Sequence, residues 1–376
     1  MPLEFSISRL DLLQVMAAQQ QVGKKSSMPI LANVLIIVKD SMASLSATDM
    51  EVALRQTLTA DVEQEGSLTL PAKKLYELAR ESASERMVFR EKEKNWVEIV
   101  AGTSTYRLSG LPAEDFPDFP EFNAESLVSL PAMVFVECID KVLFSVASEK
   151  ENIPSLTNAL LQLEKINDKC FLQLVSSDAH RMTFMGREVC EEASLLSIKA
   201  NTLIPRKGLV EIRRFCENID DVFIGVEEKQ LVFKVNDDIL VVRLSEGVFP
   251  DCNAISKMAE NEYNINIPRL DLLDALKRID LFSEDIFHAI RIDITKGKIV
   301  LRSKNSDYGS ADDEIYIEYD GEDISIAFNC RYLIETLQVM SGSEIRINFS
   351  SNEEKPCKIV SNEDVGFLSI IMPMKI

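Results

Sequence analysis

ANTLIPRKGLVEIRRFCEN, residues 200–218, reads as a short apolar strand, a proline break and a helix with apolar side chains at spacings of three and four. The same form returns as GSLTLPAKKLYELARES at 66–82 and as DISIAFNCRYLIETLQVMSG at 323–342. A companion unit, a short alternating strand running into an amphipathic helix, starts at Phe5 (FSISRLDLLQVMAAQQQ), Val134 (VFVECIDKVLFSVAS) and Tyr263 (YNINIPRLDLLDALKRIDLF). These starts lie 129 residues apart, a period that marks three copies of one structural unit.

A strand ending in a Phe-Pro-Asp turn closes the first two copies, STYRLSGLPAEDFPDF (104–119) and ILVVRLSEGVFPDC (239–252), and VGFLSIIMPMKI (365–376) takes the equivalent place in the third. Alternating segments such as LANVLIIVKD, WVEIVAG, VFIGVEEKQLVFKV and IRIDITKGKIVLRS fill the intervals as antiparallel strands. Each copy is therefore expected to hold two helices and roughly eight strands. The pattern predicts an α+β chain of three repeated domains, 1–126, 127–254 and 255–376, with LPAEDFPDFPEF and VFPDCNAISK as linkers. On pattern alone this is a repeated α+β fold whose function stays open.

Composition narrows the function. Seven cysteines are scattered singly with no CxxC pair, as in reduced, packed thiols, and two histidines leave little material for a zinc site or a histidine-centred hydrolase. Thirteen glycines form no phosphate-binding loop, so no cofactor or metal is expected. No stretch approaches the roughly 20 apolar residues of a membrane helix, and MPLEFSISRLDLL does not read as a secretory signal, which predicts a cytoplasmic chain without a membrane partner.

The formal net charge is −20, yet residues 206–214 hold four basic side chains. The six helical segments together carry +4, which leaves −24 for the rest. Such segregation suits a protein with one surface that faces phosphates. The basic residues are Lys25, Lys73, Lys74, Arg80, Arg206, Lys207, Arg213 and Arg214. Without interleaved aromatics or base-reading Asn and Gln, the expected contact is with backbone phosphates, independent of sequence. His180 beside Asp178 and Arg181 would permit acid–base chemistry by residue type, but no nucleophile stands near them.

In order and spacing, MPILANVLI, ATDMEV, LPAKKLYELAR, LSGLPAEDFPDF, SSDAHRM, IPRKGLVEI, GVFPD, FNCRYL and IIMPMKI resemble the bacterial DNA polymerase III β subunits, the sliding clamps, along essentially the whole chain. The resemblance implies a head-to-tail homodimeric ring, helices inside and sheets outside, that encircles double-stranded DNA and performs no catalysis. It implies DNA contacts at Lys25, Lys73, Arg80, Arg206, Lys207 and Arg214. It places Tyr106 and Leu108 against Leu281 and Phe282 at the dimer junction.

The resemblance further implies a hydrophobic groove for short peptide motifs of the replicative polymerase, the clamp loader and repair proteins. Its residues would be Thr157, Ser177, Ala179, His180, Arg181, Met182, Pro250 and Ile255, with Asn329, Tyr332, Ile370, Met372, Pro373, Met374 and Lys375. Met-rich, Pro-rimmed surfaces adapt to varied apolar anchors. Thr157, Ala179, Met182 and Ala254 depart from the family's commoner Leu, Gly, Leu and basic residue, which predicts a shifted motif preference. ENIPSL lacks an aromatic pair that some relatives carry there.

Overall fold

The computed structural model describes residues 2–23, 28–151, 153–283, 287–352 and 354–375. Among these, eight strands lie between Glu4 and Ser109, eight between Val128 and Arg243, and eight between Tyr263 and Ile371. Two helices accompany each set: α1 (Arg9–Val22) and α2 (Ala72–Glu81), α3 (Ala132–Val142) and α4 (Arg206–Phe215), and, past a short α5 (Cys252–Met258), α6 (Arg269–Asp280) and α7 (Cys330–Val339).

Each of the six paired helices follows a strand directly, and the junction residue explains how. Pro71, Pro131, Pro205 and Pro268 end their strands, because proline has no N–H to extend a ladder and its fixed φ suits a helix entry. At the other two, Ser8 Oγ accepts the Asp11 N–H at 3.4 Å and Asn329 Oδ1 accepts the Arg331 N–H at 2.9 Å, each satisfying an amide the helix leaves open.

One expectation needs correction. In the second copy the strand is Val128–Pro131, and VFVEC is helical. Phe135, Cys138, Ile139 and Val142 are all buried, a spacing of three and four that overrides the short alternation of Val134 and Val136. The second linker carries a short helix: Asp251 caps α5 by accepting the Ala254 N–H at 3.0 Å.

The chain forms two compact units. The first, Met1–Met133 with Leu195–Ser197 and Val210–Leu244, holds a twelve-stranded antiparallel sheet. Its core stacks Phe5 on Phe89 at 4.8 Å, with Leu12 and Met16 of α1 and Leu75 and Ala79 of α2 in the same cluster. The thirteen-residue strand Val52–Gln64 has two partners along one edge. Ala60–Gln64 pairs with Ile7–Glu4, and Val52–Arg55 pairs with Val242–Ile239. That second pairing joins the first copy to the second.

The other unit, Val134–Ser194, Ile198–Leu209 and Ser245–Ile376, holds an eight-stranded and a four-stranded sheet. Here Arg181–Met185 pairs with Ile371–Phe367 and joins the second copy to the third in the same manner. Gly366 makes this possible: its φ of +82° and a Cβ that would lie 2.1 Å from the Gly186 carbonyl oxygen admit no side chain. The equivalent strands at the chain's two ends, Ser104–Ser109 and Gly309–Tyr316, are the terminal members of their sheets and have one unpaired edge each.

Candidate functional site

The loop Ser177–Arg181 is built on side-chain to main-chain bonds. Ser177 Oγ donates to the Arg181 carbonyl at 2.7 Å and accepts the Ala179 N–H at 3.2 Å. Asp178 Oδ1 accepts the N–H groups of His180 and Arg181, both at 3.0 Å. This turn holds Ala179 at φ +75°, a left-handed conformation more usual for glycine.

Arg181 is buried. Its Nε donates to Asp178 Oδ2 at 2.8 Å, Nη2 to the Phe144 carbonyl at 3.0 Å, and Nη1 lies 2.6 Å from Glu335 Oε2. The guanidinium carbon sits 4.9 Å from the Phe144 ring centroid and 4.5 Å from that of Tyr332. Burial pushes the Tyr332 phenol above its ordinary pKa, so it stays neutral, and the His180 ring stacks beside it at 6.1 Å. Arg181 thus props the wall that His180 and Tyr332 form. With both Asp178 oxygens engaged and the Ser177 hydroxyl donating to a carbonyl, this cluster contains no activated nucleophile.

The floor is apolar. Met182 pairs with Ile370, and both pack with Leu156, Phe249 and Cys252, flanked by half-buried Ile153, Ile255 and Leu368. The last segment is tied down at two points: the Met372 N–H donates to the His180 carbonyl and the Met374 N–H to the Ala327 carbonyl, both at 2.8 Å. Pro373 between them is half-buried, and Met372 is exposed.

Direct contacts therefore unite Ser177, Ala179, His180, Arg181, Met182, Tyr332, Ile370 and Met372, and Ile255 shares their apolar cluster. Thr157 and Pro250 adjoin cluster members Leu156 and Phe249, and Met374 bonds to the strand that ends at Asn329. Lys375 turns its ammonium to Glu354 at 3.0 Å instead. Sequence reasoning missed Phe144 and Glu335. The spacing of Tyr332 and Glu335, one helical turn, was the available signal for the latter.

On α2, Lys73, Lys74 and Arg80 are exposed away from buried Leu75 and Ala79, and on α4, Lys207 and Arg214 lie opposite buried Leu209 and Ile212. Most are already engaged, which a charge count does not reveal. Lys74 pairs with Glu77 at 2.6 Å and Arg80 with Glu81 at 2.8 Å; Arg213 pairs with Glu217 at 2.9 Å and Arg214 with buried Glu211 at 2.8 Å. Arg206 Nη1 donates to the carbonyls of Leu143 and Val146, both at 2.9 Å, satisfying groups beyond the end of α3. Lys73 makes no ion pair among the described residues and is exposed, Lys207 is half-buried, and Lys25 lies outside the described residues. Tyr106 and Leu108 are half-buried against the first core, Phe282 is half-buried, and Leu281 is 76% exposed.

Among the described residues no cluster of His, Cys, Asp and Glu could hold a metal ion, and no helix is long and apolar enough to cross a membrane. Burial pushes the thiols of Cys138, Cys216 and Cys357 up to about 12 and that of Cys252 to about 11, which keeps them protonated and inert.

Three family models match in succession: the DNA polymerase III beta subunit N-terminal domain over residues 3–120, its central domain over 129–251 and its C-terminal domain over 258–375. The chain belongs to the DNA polymerase III beta subunit family. The beta sliding clamp of Buchnera aphidicola is 29% identical over 356 residues, 94% of each chain, and that of Caulobacter vibrioides is 26% identical over 379 residues, all of both chains. The solved DNA polymerase sliding clamp of Caulobacter crescentus superposes with a TM-score of 0.91 at 25% identity, covering 99% of this chain and 100% of that one. The DnaN sliding clamp of Bartonella birtlesii, solved bound to griselimycin, gives 0.92 at 26% identity with full coverage of both chains. The fold is the three-domain clamp fold, and the function is that of a sliding clamp, a non-enzymatic processivity factor that tethers the polymerase.

Proposed function

We propose that two copies of the chain, each with domains 1–126, 127–254 and 255–376, close head to tail around double-stranded DNA in the cytoplasm. One observation carries the ring. Two of the three copies of the fold are joined to the next by the same strand pairing, Val52–Arg55 with Val242–Ile239 and Arg181–Met185 with Ile371–Phe367. The strands left over, Gly309–Tyr316 and Ser104–Ser109, are the matching halves of a third such junction. Within one chain each has an unpaired edge, a liability that pairing with a second copy removes. Tyr106, Leu108, Leu281 and Phe282 would pack beside that junction.

Lys25, Lys73, Arg80, Arg206, Lys207 and Arg214 would meet backbone phosphates weakly and without sequence preference, so that DNA is retained by enclosure and slides. The groove at the second junction would take short peptides of the replicative polymerase, the clamp loader and repair proteins. The apolar floor around Met182 and Ile370 supports that reading, as does the griselimycin complex of the Bartonella clamp.

The test of enclosure is loading on a nicked circular plasmid followed by linearisation. A threaded ring is lost from the ends, whereas retention on linear DNA refutes enclosure. For the groove, truncation before Met372 removes both anchoring bonds and should abolish peptide binding while leaving the dimer intact. Full affinity in the truncated chain would place the peptide elsewhere.

A further inference from the structure

The loop that shapes the groove occurs a second time in the chain. Thr48 Oγ1 donates to the Val52 carbonyl and accepts the Met50 N–H, both at 3.0 Å, as Ser177 does for Arg181 and Ala179. Asp49 Oδ1 accepts the N–H groups of Glu51 and Val52 at 3.1 and 2.9 Å, as Asp178 does for His180 and Arg181. Met50 has φ +76° where Ala179 has +75°. The Arg243 N–H donates to the Glu51 carbonyl at 2.8 Å, the bond that Met372 makes to His180 at the other junction.

Two adjoining cavities of about 210 and 220 Å³ open beside this loop, within the first unit. They share Thr48, Ala53, Pro117, Asp118 and Pro120, so they form one two-lobed trough. The inner lobe has Leu35, 42% exposed Ile37, Phe116 and Phe119 in its lining, beside Arg55, Glu114 and Asp118. The outer lobe has Met50, Val52 and Val241 below a charged rim.

We propose that this trough is a second peptide site, for an extended segment that carries an apolar side chain with an arginine or lysine next to it. The proposal rests on reading the repeated loop at the other junction as a peptide groove. Exposed Glu51, Glu114 and Asp118 make no ion pair among the described residues, and each can meet an incoming cation. Lys229 and Arg243 share the rim, while Arg55 is committed over the Phe119 ring at 3.9 Å. These groups nearly balance, so the net −20 of the whole chain decides the sign: it steers cationic segments in and acidic ones away. Position by position, Glu51 stands where the groove has His180, Val52 where it has Arg181 and Arg243 where it has Met372.

The test uses full-length chain with [methyl-¹³C]methionine and two capped tetrapeptides, Leu-Phe-Arg-Arg and Leu-Phe-Glu-Glu. Met50 reports the trough and Met372 and Met374 report the groove, with Met50→Leu fixing the first assignment. The arginine peptide should shift Met50 saturably. In the Glu51→Lys, Asp118→Lys double variant, both positions being exposed, that affinity should fall about tenfold while the Met372 and Met374 responses are unchanged. A silent Met50 with responsive Met372 and Met374 overturns the second site alone, and silence at all three overturns both sites. An equal or stronger response of Met50 to the glutamate peptide overturns the charge assignment.

Discussion

Replacing Asp364 by Asn should weaken the second unit far more than a surface change would. Asp364 is buried with 3% of its side chain exposed; it accepts the Lys141 ammonium at 2.6 Å and the N–H groups of Ser341 and Gly342 at 2.9 Å. Lys141 has 13% exposure and also donates to the Val339 carbonyl and to Ser341 Oγ, so α3 is bound to the chain beyond α7. Asn leaves the ammonium without its counter-charge, and breaking a buried pair from one side costs about 3–5 kcal/mol. At about 1.4 kcal/mol per factor of ten, amide exchange at Ser341 and Gly342 in otherwise native protein should accelerate at least about a hundredfold. Removing the charge as well, in Lys141→Met with Asp364→Asn, should restore at least half of that loss. A change below about tenfold, or a double variant no better than the single one, would refute the assignment.

The same carboxyl gives a pH dependence. Burial raises its pKa, but the Lys141 ammonium and the two N–H groups outweigh that and hold it below the usual carboxylate range. Its contribution is fully present above the unfolded value of about 3.9 and is lost as pH falls through the lower folded value. Acid unfolding of Asp364→Asn should lack that component. Leu281→Asp should reduce the native mass from twice 42.3 kDa to 42.3 kDa if the exposed leucine lies at the junction between copies; an unchanged mass refutes this. Lys73→Glu should lower the salt slope of DNA retention by about one, whereas Arg214→Gln, already paired with Glu211, should change it less; equal slopes for both variants would refute the distinction.

The repeat was legible because period and alternation are local properties: GSLTLPAKKLYELAR and TLIPRKGLVEIRRF each show strand, break and helix within fifteen residues. The position of the strand before α3 was not, since four alternating residues at 134–137 fit either period until burial of Phe135 and Cys138 decides. The groove residues came through resemblance, yet the architecture behind them did not. Arg181 entered the groove set by resemblance alone. Its burial between Phe144 and Tyr332 depends on partners 37 and about 150 positions away, which no spacing rule encodes. The same holds for the basic helices, whose partners are partly charged neighbours such as Glu217 and partly the carbonyls of Leu143 and Val146.

Those internal partners have a mechanical consequence. A phosphate that reaches Arg80, Arg206 or Arg214 must compete with a carboxylate or carbonyl already in place, so each encounter replaces one partner by another and gains little. If phosphates meet these residues as proposed, motion along the duplex would cross a nearly level landscape, with low friction because the protein would never have to let go of anything it holds strongly.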